Sequence, residues 1–293
     1  MIGETVGVSG EAVATVDGEE PEALEGPGLG ALLRPLADRE ALRAAPRLFL
    51  ERAWAAGLVG TVALSVVFVL LGQWQFHRYE GKLTRRDRIV ANYDALPRPL
   101  GLVLASARQV LSPGQEWTPV RVAGQYDADG MRLVRNRPLD GNTGYEVLVP
   151  LRLGDGGLLV VDRGWIPAGR TGRAPDQVPP VPAGSVEVVA RLRPGEPASG
   201  RGAPPGQVQR IDLTGLAGAL HGPVYRAYGV LAVESPSPAA APTLLPRPSV
   251  DLGPHLSYAV QWWGFAVTAY SVLGAMAVRE VQARRRRVEG GVS

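Results

Sequence analysis

The 293-residue chain contains no cysteine, three histidines, three methionines and a single lysine, Lys82. Without thiols no disulfide can brace an external domain, which must stand on its own core. Thiolate-based handling of a soft metal such as copper is excluded for the same reason. His77, His221 and His255 are too few and too dispersed for a multi-histidine cage. A Ser/His/Asp set, a paired-carboxylate cluster and a phosphate-cradling loop are all lacking, so the chain reads as a non-enzyme. The net charge of +3 is too small and too localised to indicate nucleic acid. The 31 Lys and Arg residues leave 30 arginines beside Lys82, a bias that, with abundant Ala, Gly and Pro, suits GC-rich bacterial coding.

Charge itself is missing from two long runs, Ala53 to Phe76 and Leu252 to Val278. About 20 apolar residues at about 1.5 Å rise cross a bilayer, so two spans are expected, at residues 53–76 and 254–278. The first run lies too far into the chain, and lacks the small-x-small site, for a cleaved signal peptide. Residues 1–30 hold seven carboxylates and no Lys or Arg, unlike a transit peptide; residues 1–45 read as an acidic, disordered leader. Arg279 and the run Arg284 to Arg287 follow the second span, which places a basic tail (residues 279–293) in the cytoplasm. Two crossings put the leader there too, and residues 77–251 outside. Arg78, Lys82, Arg85, Arg86 and Arg88 then lie outside against the rule, which assigns those charges a task on the outer face.

The outer region opens with a helical stretch, residues 78–93, stopped by Pro97 and Pro99. Six strands follow: Val120–Tyr126, Met131–Arg137, Tyr145–Leu153, Gly157–Trp165, Ser185–Arg193 and Val224–Val233, with a short helix near Leu213–Leu220. Asp127-Ala128-Asp129-Gly130 and Gly154-Asp155-Gly156 read as hairpin turns. The fold class expected is therefore a membrane protein of α+β type. Two transmembrane helices flank an extracytoplasmic, β-rich, antiparallel domain with accessory helices.

Two faces of the second span carry the chemistry. Ser257, Gln261, Gly264, Thr268, Ser271 and Ala275 form a small-residue stripe, expected to pack on Gly57, Gly60 and Thr61 of the first span or on another protein. His255, Ala259, Trp262, Ala266 and Ala269 share another face. His255 is either an interfacial residue within an aromatic belt of Tyr258, Trp262 and Trp263, or a ligand. At the end of the first span Trp74, Arg78 and Lys82 stand at i, i+4 and i+8, a cationic ledge above an indole. It suits carboxylates of a ligand or phospholipid headgroups. Arg137 and Arg163, at strand ends, read as structural.

The ordered motifs resemble the surfeit locus protein 1 family. They begin with Leu71-Gly72-x-Trp74-Gln75-x-x-Arg78-x-x-x-Lys82, Val122-x-Gly124-x-Tyr126, Asn136-Arg137 and Gly144-Tyr145-x-Val147. Pro150-Leu151, Val161-Asp162-Arg163-Gly164-Trp165-Ile166-Pro167 and His255-Leu256-x-Tyr258-Ala259-x-Gln261-Trp262 complete the set. The resemblance implies a bacterial cell-membrane assembly factor for heme–copper cytochrome c oxidase, acting as heme a enters the catalytic subunit. It implies His255 as axial ligand to the heme iron, the metal held being iron alone. The residues fit that reading: a neutral imidazole ligates heme iron, Tyr258, Trp262 and Trp74 suit packing on a macrocycle, and Arg78 and Lys82 suit its propionates. Partners implied are the oxidase subunits, chiefly the catalytic heme-bearing one, the lipid bilayer and the heme a synthase. With no Cys-x-x-Cys-His, binding would be transient and non-covalent. The alternative is a structural subunit that stabilises the oxidase without binding heme.

Overall fold

The computed structural model describes residues 39–290, so most of the acidic leader lies outside the described residues. The chain divides into two compact units, one from the described parts of residues 1–71 and 261–293, the other residues 72–260.

The first unit is helical. Helix α1 (Arg39–Leu48) is followed by the first part of α2 (Arg52–Asn92), and the chain returns in the later part of the last helix, His255–Gly290. Ala41, Ala45 and Leu48 of α1, on one face at i, i+4 and i+7, pack against Ala277, Val278 and Val281. This corrects the expectation of disorder for residues 39–45: the short apolar stripe has a partner far along the chain that composition does not reveal. Phe68 stacks on Trp262 at 5.7 Å, while Arg284 pairs with Glu51 and Arg285 with Glu40. Aromatic contact at one end and charge pairs at the other make the two long helical segments of this unit antiparallel neighbours. Outward they present Val59, Leu64, Val66, Val67, Val69 and Leu70 from one, Val267, Val272 and Met276 from the other, all exposed.

Among the described residues, Arg52–Asn92 is the helix long and apolar enough to cross a membrane. The last helix is uncharged through Val278 but diluted by Gln261, Trp262, Trp263, Thr268 and Tyr270, so it falls short of the same measure. The helical stretch expected over residues 78–93 and the first span form one continuous helix, Arg52–Asn92, which contains no proline. Nor is the basic tail separate: residues 279–290 continue the last helix.

The small-residue stripe does not serve as the packing face in this unit. Gln261, Gly264, Thr268 and Ser271 are exposed, and a Cβ added at Gly264 or Gly60 would meet nothing within 4 Å. Thr268 and Ser271 instead donate to the carbonyls of Gly264 and Val267, one turn back on their own helix. Ala266, Ala277, Val278 and Val281 are the buried residues of the last helix in this unit.

The second unit is a sheet closed on itself. Its strands are β1 (Arg98–Pro99), β2 (Pro119–Tyr126), β3 (Arg132–Leu139), β4 (Asn142–Leu153), β5 (Leu158–Pro167), β6 (Ser185–Pro194), β7 (Gln207–Val208) and β8 (Val224–Ser235). They run in the order β1-β2-β6-β8-β5-β4-β3-β7, and β4 pairs back onto β2, closing a five-stranded ring of β2, β6, β8, β5 and β4. Closure demands close backbone approach at Gly124, where a Cβ would lie 2.5 Å from the carbonyl oxygen of Arg152. Side chains alternate across the ring wall. Val147, Val149, Leu151, Leu159 and Val161 fill the interior, whereas Leu148 and Val160 point outward into a second cluster with Ile89, Trp117, Ile211, Leu213 and Leu216. The end of α2 and the short helix Leu213–Ala217 cover that outer face, which is why β5 is buried along almost its whole length.

The sheet is mixed, not antiparallel. β5 and β8 are parallel, as are β1 with β2 and β3 with β7. Tight turns set direction only between neighbours in sequence, and β8 reaches β5 by a crossover, as a parallel pair requires. The hairpin expected at Gly154–Gly156 forms. The one expected at Asp127–Gly130 does not: β2 pairs with β6 and β4, and Asp127 accepts from the Gly130 amide in a turn that carries the chain away. β3 pairs instead with β4, through Asp140-Gly141, both with positive φ.

The wall carries buried charge. Arg163 is fully buried; its Nη2 and Nε donate to Glu234 at 2.7 and 3.2 Å, and the Tyr126 hydroxyl donates to the same carboxylate at 2.9 Å. Burial, then Glu234, pushes the Tyr126 phenol up. Next to Arg163, the buried Asp162 accepts from the Gly164 amide at 3.1 Å. Burial and the nearby Glu146 hold its carboxyl well above the usual range.

Removing one partner of the buried pair leaves the other charge unmet, so Arg163→Met should cost about 3–5 kcal/mol. Arg163→Met with Glu234→Leu should recover much of that loss in thermal unfolding of the detergent-solubilised chain. For Asp162 the raised folded pKa means stability present at low pH and lost as pH rises from about 4. Asp162→Asn, which keeps the acceptor for Gly164, should therefore raise the melting temperature at pH 7 and flatten its fall between pH 4 and 7.

Candidate functional site

The last helix, α5 (His255–Gly290; with α3 Leu100–Val103 and α4 Leu213–Ala217 between it and α2), begins at His255 because Pro254 presets helical φ before it. The approach to it is held by local bonds. Asp251 accepts from the Gly253 amide at 2.9 Å, and Ser257 donates to the Pro254 carbonyl at 2.8 Å. Gly253 adopts φ +63, and a Cβ there would lie 3.1 Å from Lys82 Nζ and 3.8 Å from His255 Nε2. Ammonium and imidazole thus border one glycine.

The half-buried His255 ring meets α2 through Nδ1, 2.8 Å from Gln75 Oε1. An amide oxygen only accepts, so in the neutral ring the proton belongs on Nδ1 and the lone pair on Nε2. Gln75, Arg78 and Lys82 stand at i, i+3 and i+7, on one stripe of α2. Arg78 lies over the Trp74 ring, 5.3 Å from its centroid. Among the described residues neither Arg78 nor Lys82 has a carboxylate within ion-pair reach, although Arg86 and Arg88 further along the same helix do. Trp74 and Tyr258 are 52% and 46% exposed, so each offers a large open aromatic surface.

Of the six residues expected at the site, His255, Tyr258, Trp74, Arg78 and Lys82 belong to the second unit. Trp262 belongs to the helical unit, where it stacks on Phe68 and meets Phe265 edge-on at 5.7 Å. His77 is exposed, with Nε2 3.0 Å from Gln73 Nε2. Two residues outside that expected set contribute. Gln75 fixes the imidazole, and its signal in the sequence is its place in the motif beside Trp74. Gly253 leaves room beside the ring, and its signal is a glycine directly before Pro254-His255.

The remaining motif arginines are structural, as expected. Arg137 pairs with Glu146 at 2.9 Å and Glu196 at 2.7 Å, and its carbonyl accepts from the Trp165 indole. Asn136 takes φ +55 at the bulge in β3, a conformation asparagine tolerates. Among the described residues no group of three or more His, Cys, Asp or Glu is arranged to hold a metal ion.

The His255 ring and Lys82 border Gly253, Arg78 and Trp74 lie on the same stretch of α2, and Tyr258 lies one turn along α5. These are residue types that could serve a flat, carboxylate-bearing macrocycle with an iron centre, which would need a nitrogen ligand and cations for its propionates.

Comparison with known proteins agrees with the motif order. Residues 62–267 match the profile of the SURF1 family. Uncharacterized SURF1-like proteins of Mycobacterium bovis and Mycobacterium tuberculosis are 33% identical over 254 residues, 84% of this chain and 92% of theirs. The match covers both units and the segments that supply Gln75 and His255, and by it the chain belongs to the SURF1 family, a family of cytochrome oxidase assembly factors.

Proposed function

We propose that this protein holds heme a transiently through His255 during assembly of a heme–copper cytochrome c oxidase and passes it to the catalytic subunit. The observation that carries this reading is the hydrogen bond from His255 Nδ1 to Gln75, which leaves Nε2 available beside Lys82. When bound, the group would supply an iron able to take a nitrogen ligand and two carboxylates. The chain supplies the rest. Gln75 orients the ring and keeps its tautomer, and such outer partners commonly strengthen ligation. Arg78 and Lys82 neutralise carboxylates, Arg78 being steadied by Trp74. Trp74 and Tyr258 offer faces for stacking. A single non-covalent ligand suits release.

On the same reading the protein spans the membrane twice. The segment of α5 from Gln261 to Val278 runs antiparallel to that of α2 and shows apolar side chains outward beside it, so both share one solvent. If α2 crosses the bilayer, its neighbour crosses with it. Arg279 and Arg284 to Arg287 support a cytoplasmic C-terminus, and with it an outer position for residues 77–251. The oxidase subunits, above all the heme-bearing one, and the heme a synthase are the partners this role requires.

One observation favours the scaffold alternative. The stripe Gln261, Gly264, Thr268 and Ser271 is exposed, which suits close approach of another membrane helix. That model needs the stripe and not the histidine.

Purified from cells that make heme a, His255→Ala should lose the heme absorption bands of the wild-type protein while keeping its yield and melting temperature. Wild-type heme content in that variant would leave scaffolding as the function. Gln75→Leu should keep the bands but bind heme about 10- to 100-fold more weakly, as loss of an outer partner does at other metal sites. Arg78→Ala with Lys82→Ala should speed heme loss to apo-myoglobin; an unchanged transfer rate would reassign both cations to lipid headgroups.

A further inference from the structure

A cavity of about 580 Å³ on the barrel unit is lined by Arg135, Asn136 and Arg137 of β3 and by Ser199, Arg201, Gln209 and Arg210 of the loop between β6 and α4. Four of its lining residues are arginines. One of them, Arg137, is bound by Glu146 and Glu196. Glu196 is further occupied by the Ile211 amide at 3.1 Å; burial alone would raise its carboxyl, but Arg137 holds it below the usual range. The charge of Arg137 is thus neutralised at the back of the cavity. Arg135, Arg201 and Arg210 have no carboxylate within ion-pair reach among the described residues, although Arg210 is close enough to add to the field that lowers Glu196.

Two further features bear on a ligand. Arg135 is half-buried in the lining, and its shielded Nε makes no hydrogen bond to the protein, so this guanidinium is not committed to a carboxylate. The loop that carries Arg201 is set by its own bonds, not left slack. Ser199 Oγ donates to the Arg201 carbonyl and accepts from the Arg201 amide, both at 3.1 Å, and Gln209 donates to the Gly202 carbonyl at 3.1 Å. Three arginines that repel one another are thereby held around one concavity, an arrangement that an oxyanion relieves. Guanidinium forks match phosphate oxygens in pairs.

We propose that this cavity is a binding site for a phosphate group, taken by Arg135, Arg201 and Arg210, on a soluble phosphate ester or a lipid headgroup. It is separate from the His255 site and does not depend on heme binding.

The test is calorimetric titration of the full-length protein in a zwitterionic detergent with pyrophosphate, and separately with short-chain phosphatidic acid. Arg135→Gln and Arg210→Gln are the variants, with Arg170→Gln as an exposed arginine outside the cavity. Saturable pyrophosphate binding, weakened about tenfold or more in both cavity variants and unchanged in Arg170→Gln, is the expected result for a soluble ligand, since each removes a charge-assisted bond. The same pattern with phosphatidic acid alone identifies a headgroup. The proposal is overturned if neither binds the wild-type protein, or if all three variants bind equally. Unaltered melting temperatures in the variants exclude misfolding as the cause of a loss.

Discussion

The hydrogen bond of 2.8 Å between Gln75 and His255 joins side chains 180 positions apart, and the candidate site is organised around it. It brings the start of α5 against the stripe of α2 that carries Arg78 and Lys82. It also sets which imidazole nitrogen is free. An imidazole without that acceptor would turn about its own bonds and present either nitrogen; with it, Nε2 faces the flank bounded by Gly253 and Lys82.

That bond holds because the barrel unit keeps its two ends in place. Ile89 is fully buried among Trp117, Val160, Ile211 and Tyr228, so the end of α2 is part of the outer core of the sheet. Tyr93, just past the helix, lies under two guanidinium groups, Arg191 at 3.8 Å and Arg247 at 4.9 Å, and its carbonyl accepts from Arg191. Arg247 comes from the segment leading back to α5. The same tyrosine thus ties the exit of one long helix and the approach to the other to strand β6. Asn92 adds two side-chain bonds, to the carbonyls of Gly114 and Glu116.

Charge in this unit follows one division. Arg137 and Arg163 are satisfied by buried carboxylates and hold strands together, at a desolvation cost that only close pairing offsets. Arg78 and Lys82, and separately Arg135, Arg201 and Arg210, have no such carboxylate partners among the described residues. On the two proposals made above, heme propionates would meet the first pair and a phosphate group the second set.

Much of this was legible in the chain. The uncharged runs define the long helices, since about 20 consecutive residues without charge match the thickness of a bilayer core. Strand positions followed from apolar runs and turn residues, and each of the six expected strands is present. Motif order identified the family. Long-range decisions were hidden. The parallel pairing of β5 with β8, the return of β4 onto β2 and the loss of the expected first hairpin depend on ring closure, which no local turn encodes. The small-residue stripe of α5 lies exposed, while Ala266 is buried and Ala277, Val278 and Val281 pack on the short helix α1. Composition and periodicity determined by themselves where the chain is apolar, where it turns and which histidine begins the final helix. Only tertiary structure decided which arginines are neutralised and that Gln75 meets His255, because those depend on side chains brought together from distant segments.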